Sequence, residues 1–266
     1  MDSGGGRVSA EEQAFTLPLD RFDSDLLPPE ARTLGTPAFR QAVSDYLTHS
    51  FGGFGGRAAI VVDDRQISIR WNPESASPAS PFDAAIAHLR SGRTPQGVQM
   101  LELLLTRDPD DVNLLFNLGI ALSEARRLAE AEDHLNRAVE LAPDFADALV
   151  ALGVAQLRQQ NVETAIETLE RAIAIEPDNP WAHRNLGIAY LKLGEDPEEA
   201  VEHLQKAVER QPADQGAWLA LGDAYAISDR RKLAEQAYRR AIEIHPHNDL
   251  AEVARKASTK LAQASL

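Results

Sequence analysis

Two hydrophobic rhythms divide the chain. From residue 112 to 248, apolar residues recur every three or four positions in paired runs parted by short polar turns, which predicts helical hairpins. In the first pair, Leu115, Leu118 and Leu122 share one helix face, and Ala131, Leu135, Ala138 and Val139 share the face of the next. Upstream, Phe39, Val43, Tyr46 and Leu47 predict a short amphipathic helix over 37–51, with Thr36 as its cap. Ile60 and Val62, then Ile67, Ile69 and Trp71, alternate with a period of two around Asp63-Asp64-Arg65, which predicts a β-hairpin. Residues 1–36 are rich in Gly, Pro, Asp and Ser and show no period. They are expected to be flexible, including the apolar-acidic stretch from Phe15 to Leu27. Residues 72–77 read as a linker.

The paired runs are copies of one another. Pro109, Pro143, Pro177, Pro212 and Pro246 are spaced 34, 34, 35 and 34 apart, and Leu-Gly pairs recur at 118–119, 152–153, 186–187 and 221–222. Ala131, Ala165, Ala200 and Ala234 keep the same step, as do Ala138, Ala172, Ala207 and Ala241. The extra residue falls between Gly187 and Ala200, in the turn-like Gly194-Glu-Asp-Pro-Glu-Glu, where it leaves helix packing undisturbed. The residue types fit the geometry. Small residues let paired helices approach closely, and proline cannot continue a helix.

This pattern resembles the tetratricopeptide repeat (TPR) family, whose unit is a helix-turn-helix of 34 residues. The resemblance implies a mainly α fold, a right-handed α-α superhelix (TPR solenoid) of about five helical hairpins plus a C-terminal capping helix, with the small helix and β-hairpin before it. The units are 78–111, 112–145, 146–179, 180–214 and 215–248, and the cap is 249–266. The first unit departs from the pattern, with Ala84-Ala85 in place of Leu-Gly and with Gly97 and Leu104 in place of the alanines. It reads as a degenerate terminal repeat. In the cap, Leu250, Val253, Ala254, Ala257 and Leu261 are expected to cover the last hairpin, leaving Arg255, Lys256 and Lys260 in water.

In this family the first helix of each unit, helix A, lines a concave groove. Carried over, the resemblance places Phe82, Ile86, Phe116, Asn117, Ile120, Val150, Val154, Arg158, Arg184, Asn185, Ile188, Lys192, Leu219 and Asp223 in a peptide-binding groove. An apolar stripe there suits a ligand; packing between neighbouring A helices is the alternative. Asn117 and Asn185 hold equivalent positions, where an amide in some members bonds the backbone of an extended peptide, offering both donor and acceptors. A structural bond between helices is the other reading. The Lys/Asn clamp of chaperone-binding members is absent, since Phe116 and Ile120, or Val150 and Val154, stand in its place.

The net charge of −14 disfavours nucleic acid and anionic membranes as partners. It does not imply a basic ligand. Along the groove positions Asp83, Glu124, Asp147 and Asp223 offset Arg90, Arg158, Arg184 and Lys192, so the acid excess belongs to the second helices and the turns. There is no cysteine, hence no disulfide or thiolate chemistry. No run approaches the ~18 apolar residues of a membrane span, and the first residues lack a signal-peptide core. A cytoplasmic location is expected, and the Ala- and Arg-rich composition points to a bacterium.

Enzymatic motifs are thin. His134 and His203 hold the same second-helix position and are expected on the outer face, while His183 takes a buried position. His245, His247 and Asp249 cluster in an inter-repeat turn, a poor metal site. Gly52-Gly-Phe-Gly-Gly lacks the Lys-Ser/Thr of a phosphate loop and the dinucleotide spacing. No catalytic residue, metal or cofactor is expected. The chain reads as a non-enzymatic scaffold or adaptor for a protein or peptide segment, with no nucleic acid and no membrane insertion. The alternative is a self-assembling or autoinhibited scaffold, in which Phe15–Leu27 occupies its own groove or a neighbour's in a homo-oligomer. A weaker third reading makes 37–71 the functional module and the repeats its mount.

Overall fold

The computed structural model describes residues 13–52, 56–73, 80–194 and 197–263, and the chain divides into two compact units between Arg127 and Leu128. In the first unit, β1 (Gln13–Pro18), β2 (Gly56–Val62) and β3 (Gln66–Pro73) form an antiparallel sheet in the order β1-β3-β2. Strand alternation puts Phe15 and Leu17 of β1, with Ile67, Ile69 and Trp71 of β3, on one buried face. Helix α1 (Pro37–Gly52) meets that face with Phe39, Val43, Leu47 and Phe51, one stripe at four-residue spacing. The Phe51 ring lies 5.7 Å from that of Phe15 and 6.0 Å from that of Trp71. Thr36 caps α1 as its sequence suggests, Oγ1 accepting from the Phe39 N–H at 3.1 Å.

The expected hairpin is present, but the expected flexibility of residues 1–36 is corrected for 13–36. β1 makes the hairpin a three-stranded sheet, and three short 3₁₀ turns over 19–21, 24–26 and 29–31 follow it. Leu19, Phe22, Leu27 and Ala31 are buried. The reason is core size: two strands and a helix cannot enclose enough apolar surface, and Phe15, Leu17 and Leu19 supply the missing part. The reading in which Phe15–Leu27 fills the chain's own groove is corrected by the same observation. Phe22 packs edge-on to Phe39 and Tyr46 at 6.3 and 5.7 Å, and the Asp23 N–H donates to Gln99 Oε1 at 2.7 Å. Asn72 and Pro73, expected in the linker, end β3; residues 74–77 and 1–12 lie outside the described residues.

The first unit continues with α2 (Pro81–Arg90), α3 (Thr94–Arg107) and α4 (Val112–Glu124). Ser80 and Asp83 form a reciprocal capping box at the start of α2, with Pro81 at its first position. The degenerate first hairpin still closes tightly, but the small residue has changed helices. A Cβ on Gly97 of α3 would come within 2.5 Å of Leu89 of α2.

In the second unit α5 (Leu128–Leu141) precedes three hairpins: α6 (Ala146–Arg158) with α7 (Val162–Ile175), α8 (Pro180–Leu193) with α9 (Pro197–Arg210), and α10 (Gln215–Ile227) with α11 (Arg231–Ile244). Helix α12 (Asp249–Gln263) packs on α11 and α10. The Leu-Gly glycines face the second helix of their hairpin: a Cβ at Gly153 would sit 2.7 Å from Leu169, and one at Gly187 2.5 Å from Leu204. Each second helix ends two residues before its proline, at Leu141, Ile175, Arg210 and Ile244. Asn179, Asp214 and Asn248, at matching positions, accept from the N–H of Ala182, Ala217 and Ala251. Gln160, Gly194 and Asp229 share the left-handed turn position, φ 70°, 75° and 55°. Because α9 starts one residue later than its equivalents, the extra residue falls at 195–196, outside the described residues.

The expected cap face holds for Ala254, Ala257 and Leu261, which pack against the core of the last hairpins, and needs correction at Leu250 and Val253. Ala251 and Ala254 are the buried residues of α12, whereas Leu250 and Val253 stay 40% and 49% exposed. Ala251 matches Ala148, Ala182 and Ala217, all buried, so α12 packs as another A helix. At the Leu-Gly position it carries Arg255-Lys256, both exposed, so the face that would receive a further second helix is charged and solvated.

Candidate functional site

The A-helix residues that the sequence singles out are mostly half-buried. In the first unit, Phe82 and Ile86 stand on α2, and Phe116, Asn117 and Ile120 on α4. Phe82 lines two open clefts. One, about 470 Å³, includes Leu104, Arg107, Asp111 and Leu114; the other, about 490 Å³, includes Asp83, Ile86 and Arg90. In the second unit Val154, Ile188 and Leu219 are half-buried on α6, α8 and α10, and Val150 is buried. Arg158 and Lys192 are exposed near the ends of α6 and α8.

The two amides act alike. Asn117 Nδ2 donates to the Asn113 carbonyl, and Asn185 Nδ2 to the Trp181 carbonyl, both at 2.8 Å and one turn back on their own helices. Each amide therefore uses one of its two N–H donors inside the helix, and the second N–H and Oδ1 remain.

Two predicted charged residues are committed elsewhere. Arg184 pairs with Asp214 at 2.9 Å, linking α8 to the N-cap of α10. Asp223 accepts from the Tyr238 hydroxyl at 2.8 Å. Burial pushes the Asp223 carboxyl above the usual carboxylate range, and the Tyr238 bond offsets part of that rise. Burial, then the bond to Asp223, raises Tyr238 as well.

Three further apolar residues share these faces, of which Trp181 holds a groove contact position of the fourth unit. Trp181 is 46% exposed on α8, and Leu250 and Val253 are exposed on α12. Extending the 34-residue step one unit finds the last two, because Leu250 matches Gly216 and Val253 matches Leu219.

The histidines depart from expectation. His203 turns inward to His183, which is buried, instead of facing out. His183 Nε2 donates to the Pro177 carbonyl at 2.8 Å, so its Nδ1 accepts from His203 Nδ1–H at 2.9 Å. Tyr190 stacks on the other side of His203, 5.8 Å between ring centres. Burial, then His183, lowers His203 to about 4. Among the described residues no three His, Asp or Glu side chains gather as a metal site, and no helix is long and apolar enough to cross a membrane.

Residues 157–194 match the family described as TPR repeat, and residues 82–144 and 182–249 the one described as tetratricopeptide repeat. Comparison with curated proteins gives no match. Among solved structures, the crystal structure of MamA is 26% identical with a TM-score of 0.53, covering 63% of this chain and 96% of that one. MamA 41-end from Desulfovibrio magneticus RS-1 has 24% identity and a TM-score of 0.54 over 64% of this chain and 95% of its own. A thermophilic TPR protein from Thermus thermophilus has 22% identity and a TM-score of 0.59, covering 66% of this chain and 96% of that one. The last two show a shared fold.

Proposed function

Because the chain belongs to the tetratricopeptide repeat family, whose arrays are protein-interaction modules, we propose that it is a non-enzymatic scaffold that holds an extended segment of a partner protein against its A helices. The observation that carries this reading is the pairing of Asn185 with Trp181. The Asn185 side chain is only 6% exposed and is held by its own helix through one N–H, and beside it on α8 Trp181 is 46% exposed. An acceptor next to an apolar surface suits a peptide, whose backbone N–H needs a partner and whose side chains need cover. Ile188, Val154 and Leu219 extend the apolar surface, and Asn117 with Phe116 and Ile120 offers the same chemistry on α4.

Arg184 leaves the contact set, since its charge is matched by Asp214. Asp223 leaves it as a free anion, because it is bonded to Tyr238. Lys192 remains as an exposed cation beside the apolar positions. The acidic composition suits an adaptor in the cytoplasm.

Peptide display against the full chain tests the proposal. Selected sequences should bind the wild type and lose binding to Trp181→Ala, while Arg239→Glu on the exposed side of α11 leaves it intact. Selection insensitive to Trp181→Ala but abolished by Arg239→Glu would put the binding face on the second helices.

A further inference from the structure

We infer that the outer edge of β2 pairs with β2 of a second copy of this chain, joining two three-stranded sheets into one across a two-fold axis at Ile60. The sheet has two edge strands, each packed by a helix: α3 contacts β1 and α1 contacts β2. β1 is packed by α3, and the segment after it is tied to α3 through Asp23 and Gln99. β2 is the opposite edge, with β3 on its inner side. Its register with β3 runs unbroken from Gly56 to Val62, without a bulge, and the strand contains neither Pro nor Lys. A bulge, a proline and a lysine are three of the devices that keep an edge from pairing, and β2 has none of the three.

Hydrogen-bond parity fixes which groups are open. The Asp63 N–H donates to the Gln66 carbonyl at 3.0 Å, so Asp63 and Gln66 are a hydrogen-bonded pair. Counting back along the register, Val61, Ala59 and Arg57 point their backbone groups at β3. Val62, Ile60 and Ala58 point theirs away from it, at the open edge. Both side-chain faces are also incompletely covered: Ile60 and Val62 are half-buried where Ile67 and Ile69 are fully buried, and Val61 is 55% exposed.

Charge selects the occupant and the register. The strand has one charged residue, Arg57, which is exposed and has no ion-pair partner among the described residues. Arg57 and Asp63 lie equally far from Ile60, on opposite sides. An antiparallel two-fold at Ile60 therefore sets Arg57 opposite Asp63 of the second copy, twice. It also sets Ala58 against Val62 with all outward backbone groups paired, and Ala59 against Val61 on the outer face. Asp63 can serve, since its Oδ1 accepts from Arg65 and Gln66 while Oδ2 remains. Moving the axis to Ala59 keeps the parity but sets Arg57 against Val61 and loses the ion pairs. The strand is thus complementary to itself in one register.

This inference is independent of the groove reading, and its failure leaves that reading untouched. The chain has no cysteine, so introduced thiols report cleanly. Ala59→Cys and Val61→Cys, both exposed, should cross-link to each other on mixing and mild oxidation, because a non-hydrogen-bonded antiparallel pair has Cα atoms about 4.5 Å apart. Each alone should cross-link poorly, its own copy lying about 7–8 Å away on the diagonal. Light scattering on the full chain should give a dimer, and Arg57→Asp should raise its dissociation constant roughly tenfold or more without lowering Tm. Monomer mass across the micromolar range would overturn the inference. So would a dimer that ignores Arg57→Asp and shows no excess of the mixed 59–61 cross-link.

Discussion

Asn185 donates its side-chain N–H to the carbonyl of Trp181, one turn earlier on α8, and the two residues thereby present an oriented acceptor beside an exposed indole. The bond uses a donor that would otherwise compete for a ligand's carbonyl.

Arg184 is a contrasting case on the same helix. Its pairing with Asp214 crosses from α8 to the cap of α10, and both side chains are largely screened from water. Arg184→Met should lower stability by about 1 kcal/mol and leave affinity for a selected peptide within about twofold. Thermal unfolding and titration calorimetry on one preparation check both halves.

The Leu-Gly glycines are set by contact with the paired helix. Gly153→Val should destabilise by about 1–3 kcal/mol through overpacking against Leu169. Denaturant unfolding should show the loss as a lower midpoint. An unchanged midpoint would mean that the hairpin repacks without strain.

In the His183–His203 contact His203 Nδ1–H donates to His183 Nδ1, and burial disfavours a charge on the His203 ring. The folded value for His203, about 4, lies below its ordinary value of 6.5. The stability from this group is therefore fully present above pH 6.5 and is lost progressively as pH falls toward 4. Neighbouring Lys206 works in the same direction as burial, and Glu202 against it. His203→Asn should flatten the Tm-against-pH profile in that window, at the cost of a lower Tm at pH 7.5.

α12 closes the array through two residues. Arg255→Leu with Lys256→Gly restores the Leu-Gly pair on an A helix that no second helix covers among the described residues. The double variant should associate in a concentration-dependent way, seen by light scattering, because it exposes an apolar face. The wild-type charges suppress that.

The repeat register was legible because two rigid requirements recur in it: a glycine where a facing Leu leaves no room for a Cβ, and a proline two residues past each helix end. β1 was not legible. Phe15, Leu17 and Leu19 alternate correctly, but Pro18 and the acidic residues around them read as an unfolded segment. Pro18 is tolerated because it pairs with Gln66 at the strand's very end. In α12 the larger Leu250 and Val253 drew the packing face toward themselves, whereas close helix approach selects Ala251 and Ala254. Among the candidate site residues, the sequence could assign positions but not partners. Asp214 lies 30 residues from Arg184, and the Asp223–Tyr238 bond joins two helices of one hairpin.

The most direct measurement of the central claim is calorimetric binding of one display-selected peptide to four proteins: wild type, Trp181→Ala, Asn185→Ala and Arg239→Glu. The account predicts at least a tenfold loss of affinity for Trp181→Ala and for Asn185→Ala, and none for Arg239→Glu. Full affinity in both α8 variants, with loss in Arg239→Glu, would contradict it.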